Sequence, residues 1–257
     1  MEITSRFEGE KIIERPIEIG FLKGSFGKEV FDKAGDIAKN KYESKESLLS
    51  PVYRDGVVQG SNLFYVILVN EVLRGHSRKL HTATPADIER TLRADDTLGI
   101  EGNYYVDTGL VLRSTEDSYS SNNPLARDVT KQLKRKLGDN FKFPIMIPLM
   151  GLDLKVDDNK YGLGLIVRED AEIIRAPILN QPGRFNTDNV NVRTGLPNKI
   201  RSEGNRGLYT RTDGLSGLAV LSFLSLGAHL YSFGYSGDSG RVVVCGEAAD
   251  PKNFGTY

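Results

Sequence analysis

GLSGLAVLSFLSLGAHLYSFGYSGDSGRVVVC, running from Gly214 to Cys245, is the stretch on which the reading of this chain turns. Aromatic and aliphatic residues are scattered there among Ser and Gly, with no formal charge between Asp213 and Asp238. In the wider window from Asn205 to Gly246 there is no Lys, Glu, Gln, Met or Trp. Roughly six such residues would be expected at the usage of the whole chain. An enzyme pocket gives no reason to exclude charged and apolar types together. A restricted codon set does.

Read with a period of two, one face carries Ala219, Leu221, Phe223, Ser225, Gly227, His229, Tyr231, Phe233 and Tyr235. The other carries Val220, Leu224, Leu226, Ala228 and Leu230, which suits a core. The glycines argue against one unbroken strand, so the register can reset at a turn. A sheet or helix buried on both faces is the competing reading. A membrane span is long enough here, but Gly, Ser, Tyr and His interrupt it and no Lys/Arg cluster orients it.

Outward toward the N-terminus, Asn180 to Asn205 is rich in Asn, Gly, Pro and Arg and reads as a long surface loop. AEIIRAPIL reads as a short strand. FKFPIMIPLMGLDLKV and KYGLGLIVRED read as two strands joined across Asp157-Asp158-Asn159. LARDVTKQLKRKL is an amphipathic helix with Leu125, Val129, Leu133 and Leu137 on one side, preceded by the strand NYYVDTGLVLRS. A boundary falls near Asp96 to Glu101, dividing an N-terminal α/β segment, 1–98, from a C-terminal part, 99–257.

Within that segment PIEIGFLKGSFG alternates as a strand, and Phe31 to Leu49 is a charged helix with Phe31, Ile37 and Ala38 as its thin apolar face. Ser61 to Gly75 is either a strand or a buried helix capped by Ser61 or Asn62 and closed by Gly75. Thr84-Pro85 with Asp87 and Glu89 marks a helix start. RVVVCGE, toward the other end, is a strand with two-sided burial. The fold class is α+β.

The 34 basic residues balance 34 acidic ones, so no global field draws nucleic acid or an anionic membrane. Cys245 is alone, which excludes an internal disulfide and Cys-rich zinc patterns; it reads as an inert strand residue. The N-terminal MEITSRFEGEKIIERP carries charge where a signal core would be apolar, so cytoplasmic synthesis is expected.

Gly237-Asp238-Ser239-Gly240 resembles a serine-protease nucleophile loop, but Arg241 stands where that family has a second glycine. His76, His81 and His229 are dispersed and read as surface residues. Asp153, Asp157, Asp158 and Asn159 lack the ligand spacing of a calcium loop. Arg193, Arg201, Arg206 and Arg211 either frame an anionic groove or belong to a solvated loop. No cofactor, metal or catalytic residue is expected, and a hydrolase using Ser239 is the lesser alternative.

Leu208-Tyr209-Thr210-Arg211, Gly214-Leu215-Ser216, Leu218, Leu224, Leu226 and Gly240-Arg241-Val242-Val243-Val244 carry a resemblance, as does PIMIPLMGLDLKVDDNKYGLGLIV. The pattern resembles the variable proteins of diversity-generating retroelements, in particular the archaeal and archaeal-virus members, over residues 100 to 257. In that family error-prone copying of template adenines rewrites Asn codons, and the genetic code then bars Lys, Glu, Gln, Met and Trp. The resemblance implies a C-type-lectin-like fold with a variable region at about 205–246. Its displayed set is Ala219, Leu221, Phe223, Ser225, Gly227, His229, Tyr231, Phe233 and Tyr235, joined by Leu230, Ser232, Gly237 and Ser239.

It further implies a receptor-like protein that binds a macromolecular ligand, a protein on a host or neighbouring cell surface, without membrane insertion. A homo-oligomer or virion subunit using 214–236 as interface is the alternative. Calcium-sugar motifs and Trp are absent, so carbohydrate binding does not follow, and the cysteine chemistry of formylglycine-generating relatives is out of reach of Cys245 alone. The display reading requires Phe223, His229, Tyr231 and Tyr235 to face water.

Overall fold

The computed structural model describes residues 17–43, 45–76, 79–93, 104–116, 119–210, 217–224, 227–232 and 237–247, and over these the chain is mixed α+β. Strand β1 (Ile17–Phe21) leads into helix α1 (Gly24–Lys41), which starts well before the expected Phe31. Gly24 and Gly27, at the end of the stretch expected to alternate as a strand, belong to the helix. Gly27 is needed there because a Cβ would come within 2.6 Å of the Leu22 carbonyl carbon. A short helix α2 (Glu46–Leu49) and a hairpin, β2 (Val52–Arg54) with β3 (Val57–Ser61), follow.

Helix α3 (Leu63–Arg74) resolves the ambiguity at Ser61 to Gly75. Asn62 is its cap, the side-chain oxygen accepting from Tyr65 N at 2.9 Å. Most of its residues are buried, which is why no amphipathic stripe distinguished helix from strand in the sequence. After β4 (His81–Thr82), helix α4 (Pro85–Arg93) opens with a reciprocal cap: Asp87 N donates to Thr84 Oγ1, and Thr84 N donates to Asp87 Oδ2 at 2.9 Å.

Strand β5 (Tyr105–Leu112) precedes helix α5 (Asn123–Leu137), which buries Leu125, Val129 and Leu133. The expected fourth member, Leu137, is 45% exposed, because the helix ends there at Gly138. Next come β6 (Ile145–Pro148) and the hairpin of β7 (Leu152–Val156) with β8 (Leu163–Val167), joined through the Asp157–Asn159 turn as expected. In that turn Asp157 Oδ1 accepts from Asn159 N at 3.0 Å, so the side chain serves the bend. The expected loop 180–205 contains only the short strand β10 (Gly183–Phe185) and a one-turn 3-10 segment; β9 (Ile174–Arg175) lies just before it. The C-terminal strands are β11 (Arg206–Tyr209), β12 (Leu218–Leu224), β13 (Gly227–Ser232), β14 (Gly237–Arg241) and β15 (Val243–Glu247).

The large sheet runs β10-β11-β13-β12-β5-β14-β3-β2, with β6 on the far end of β5 and β9 beyond it. A three-stranded sheet, β1-β15-β4, places β15 centrally as its β-branched run suggested. The expected boundary at 96–101 lies outside the described residues. Pairing of β1 with β15 and of β3 with β14 joins the segments on either side of it.

One core lies between the sheet and α1, α3 and α5, and takes Leu110, Leu112, Leu218 and Val220. The other lies on the opposite face and takes Val106, Val111, Ala219, Leu221, Phe223, Ala228 and Leu230 with Phe185 and Leu208 of the same sheet, covered by Val190, Leu196 and Ile88. Central strands β5 and β12 are therefore apolar on both sides. Each fully buried Leu or Phe contributes on the order of 1.5–3 kcal/mol. Among the described residues no helix is long and apolar enough to cross a membrane.

Candidate binding surface

Register decides where the displayed residues go. In the β12–β13 hairpin Leu224 pairs with Gly227, Phe223 with Ala228 and Leu221 with Leu230. Paired residues share a face, so odd positions on β12 lie with even positions on β13. The period-two set therefore divides between the two sides of the sheet. Ala219, Leu221, Phe223 and Leu230 fall on the side covered by Val190 and Leu196, with exposures of 0%, 0%, 1% and 5%. They are core residues, and their expected display is overturned. The loop 180–205, read from sequence as surface, supplies the roof.

His229 falls on the opposite side, beside Tyr209 of the parallel neighbour β11. Their rings stack at 4.4 Å between centroids with 17° between planes. Tyr209 is 48% exposed and His229 half-buried. The stack lies against a floor of two paired glycines, Gly207 and Gly227. A Cβ at Gly207 would meet the Tyr209 ring at 2.6 Å, and one at Gly227 would meet His229 Nε2 at 3.0 Å and Tyr209 at 3.1 Å. Gly227 is thus a buried support for the rings, not a displayed residue. Burial lowers the His229 pKa, so the imidazole is neutral at pH 7 and presents an aromatic face instead of a cation.

Across β12 from His229, Ser222 donates to the buried carboxylate of Asp107 on β5 at 2.5 Å, and Ser61 donates to its other oxygen at 3.1 Å. Burial pushes the Asp107 carboxyl up to about 6, against the two serine bonds that draw it down. Tyr105 OH accepts from Gly237 N at 2.8 Å and donates to the Ser61 carbonyl at 2.7 Å. These contacts tie β3, β5, β12 and β14 together. Neither Asp107 nor the serine pair stood out in the sequence, because their partners are far apart along the chain.

The remaining expected residues fall in three groups. Ser225, Phe233 and Tyr235 lie outside the described residues, as does Arg211. Tyr231 and Ser232 are placed in β13 by their backbone. Gly237 is partly exposed and Ser239 exposed on β14, which β12 and β5 separate from β13. A nucleophilic serine needs its base and orienting acid assembled around it. The histidines sit apart: His76 is edge-on to Phe26, His81 lies beside Asp87, and His229 stacks on Tyr209.

Among the described residues, Arg193, Arg201 and Arg206 do not assemble a groove. Arg193 pairs with Glu172 at 3.0 Å, and Arg201 exchanges backbone hydrogen bonds with Arg184. Arg206 is buried, ion-paired to Glu89 of α4 and stacked 5.0 Å from the Phe185 ring centroid. Comparison of the chain with protein families, curated proteins and solved structures returns no match.

Proposed function

We propose that this chain is a ligand-binding variable protein, built on a C-type-lectin-like scaffold and diversified by a retroelement, whose target is a protein on a host or neighbouring cell surface. One observation carries the reading. An exposed Tyr209–His229 stack, held over two glycines, lies in a window devoid of Lys, Glu, Gln, Met and Trp. Tyr and His offer large contact area at low entropic cost, as in antibody loops. The proposed contact set is Tyr209 and His229, with Ser225, Tyr231, Phe233, Tyr235, Gly237 and Ser239 as further varied positions. Ala219, Leu221, Phe223 and Leu230 leave the set, since replacing a packed core side chain at will costs several kcal/mol.

The test is the neighbouring DNA. A near-copy of the codons for 205–246 is expected, with adenines at 225, 229, 231, 233 and 235 and not at 219, 221, 223 and 230. Adenines concentrated on the second group would move the contact surface to the roofed side and overturn this assignment. No near-copy at all would overturn the retroelement reading itself. Turnover of generic ester or peptide substrates, lost in Ser239→Ala, would instead favour a hydrolase.

A further inference from the structure

We propose that His81, Asp87 and Cys245 form a zinc-class metal site at the junction of β4, α4 and β15. The proposal is independent of the binding function above. From sequence His81 read as a surface residue and Cys245 as inert. The strand pairing changes that, because Cys245 is the direct cross-strand partner of His81. Asp87, in the first turn of α4, completes a set whose three donor atoms all lie within 4.8 Å of one another. His81 Nδ1 is 3.9 Å from Asp87 Oδ2. A tetrahedral zinc ion, with ligand bonds of about 2.0–2.3 Å, needs donors slightly closer than this. Rotation of the partly exposed imidazole away from the Thr82 carbonyl, now 3.0 Å from Nδ1, supplies the difference.

The surroundings hold the donors in place. Asn70 of α3 clamps β4 from below, donating to Thr82 Oγ1 at 2.7 Å and accepting from Thr82 N at 2.8 Å. Ala83 N donates to the Val243 carbonyl at 2.9 Å, fixing β4 to β15. Thr84 orients Asp87 through two bonds to Oδ2, at 2.9 Å from N and 2.7 Å from Oγ1. The Arg90 guanidinium sits 3.4 Å from the other oxygen, Oδ1. Support of this kind around a ligand is what tunes a metal site. Cys245 and Asp87 are buried while His81 reaches solvent, so the imidazole marks the entry side.

The mixed imidazole, carboxylate and thiolate set selects zinc or cobalt over magnesium or calcium. Three protein ligands leave a fourth position for water. Burial, with the Asp87 charge, pushes the Cys245 thiol up, so the free site holds a neutral thiol. Binding forms the metal–sulfur bond, breaks the S–H bond and releases that proton to solvent. The thiolate and carboxylate then neutralise the two charges of the ion.

Equimolar cobalt(II), added to the purified full chain, tests the site. A near-ultraviolet thiolate-to-cobalt band is expected, with visible bands that zinc abolishes on displacement. Cys245→Ser removes the thiolate band, and His81→Ala, at the partly exposed ligand, weakens zinc by more than about tenfold. No thiolate band in the wild type overturns the proposal.

Discussion

β12 and β13 are the two arms of one hairpin, drawn from the same restricted alphabet, yet they live in different environments. Every described side chain of β12 is buried, on both faces, between the helical core and the roof of loop 180–205. β13, one strand further out, sends Ala228 and Leu230 to the roofed core but leaves His229 stacked at the opposite surface. Position in the sheet, not residue type, separates a packed arm from a presenting one. A scaffold that varies side chains can do so only where replacement does not open a cavity.

The largest effect that could break this contrast is Phe223→Ala. Loss of a fully buried ring should cost about 3–5 kcal/mol, read from urea unfolding. A cost under about 1 kcal/mol would mean that β12 is not packed as described.

Asp107, at the seam between the two arms and β5, comes next. Its folded pKa of about 6 lies above its ordinary 3.8, so the protonated form is the one the fold favours. Stability from this group is full below the unfolded pKa and is lost as pH rises through about 6. Wild type should therefore lose roughly 2 kcal/mol relative to Asp107→Asn between pH 4 and pH 7. Parallel stability profiles for the two proteins would place Asp107 in water.

Gly207→Ala sharpens the comparison from the exposed side. Its methyl must displace the Tyr209 ring, a movable side chain, so unfolding should shift by only about 1 kcal/mol while the stack opens. NMR titration of His229 should then show its lowered pKa moving back toward 6.5. Smallest of all, Tyr209→Ala should change stability by less than about 1 kcal/mol, as a half-exposed site does. Capture of a ligand should nevertheless fail, and retained capture would remove Tyr209 from the contact set.

Local signals were the legible ones. Asn62 and Gly75 bracket α3, Thr84 and Asp87 start α4, and Asp157–Asn159 turns β7 into β8, each within a few residues of its cause. The candidate surface was half legible. His229 was named, but its stacking partner Tyr209 was noted only for family resemblance. The odd-numbered face failed because parity inverts where Leu224 pairs with Gly227, and because Val190 and Leu196 cover the β12 side. Arg206 could not be read as buried without Glu89, 117 positions away. His81 and Cys245 needed the β4–β15 register to meet.

The central place of β15 has a consequence for how the molecule comes into being. Its neighbours β1 and β4 both come from the early part of the chain, while β15 itself is the last described strand. During synthesis those two must wait, with open edges, for a partner that emerges after all the other described strands. Closure of the three-stranded sheet is therefore a late, all-or-nothing event, and a nascent chain stalled before Val243 would expose ready seams for mispairing.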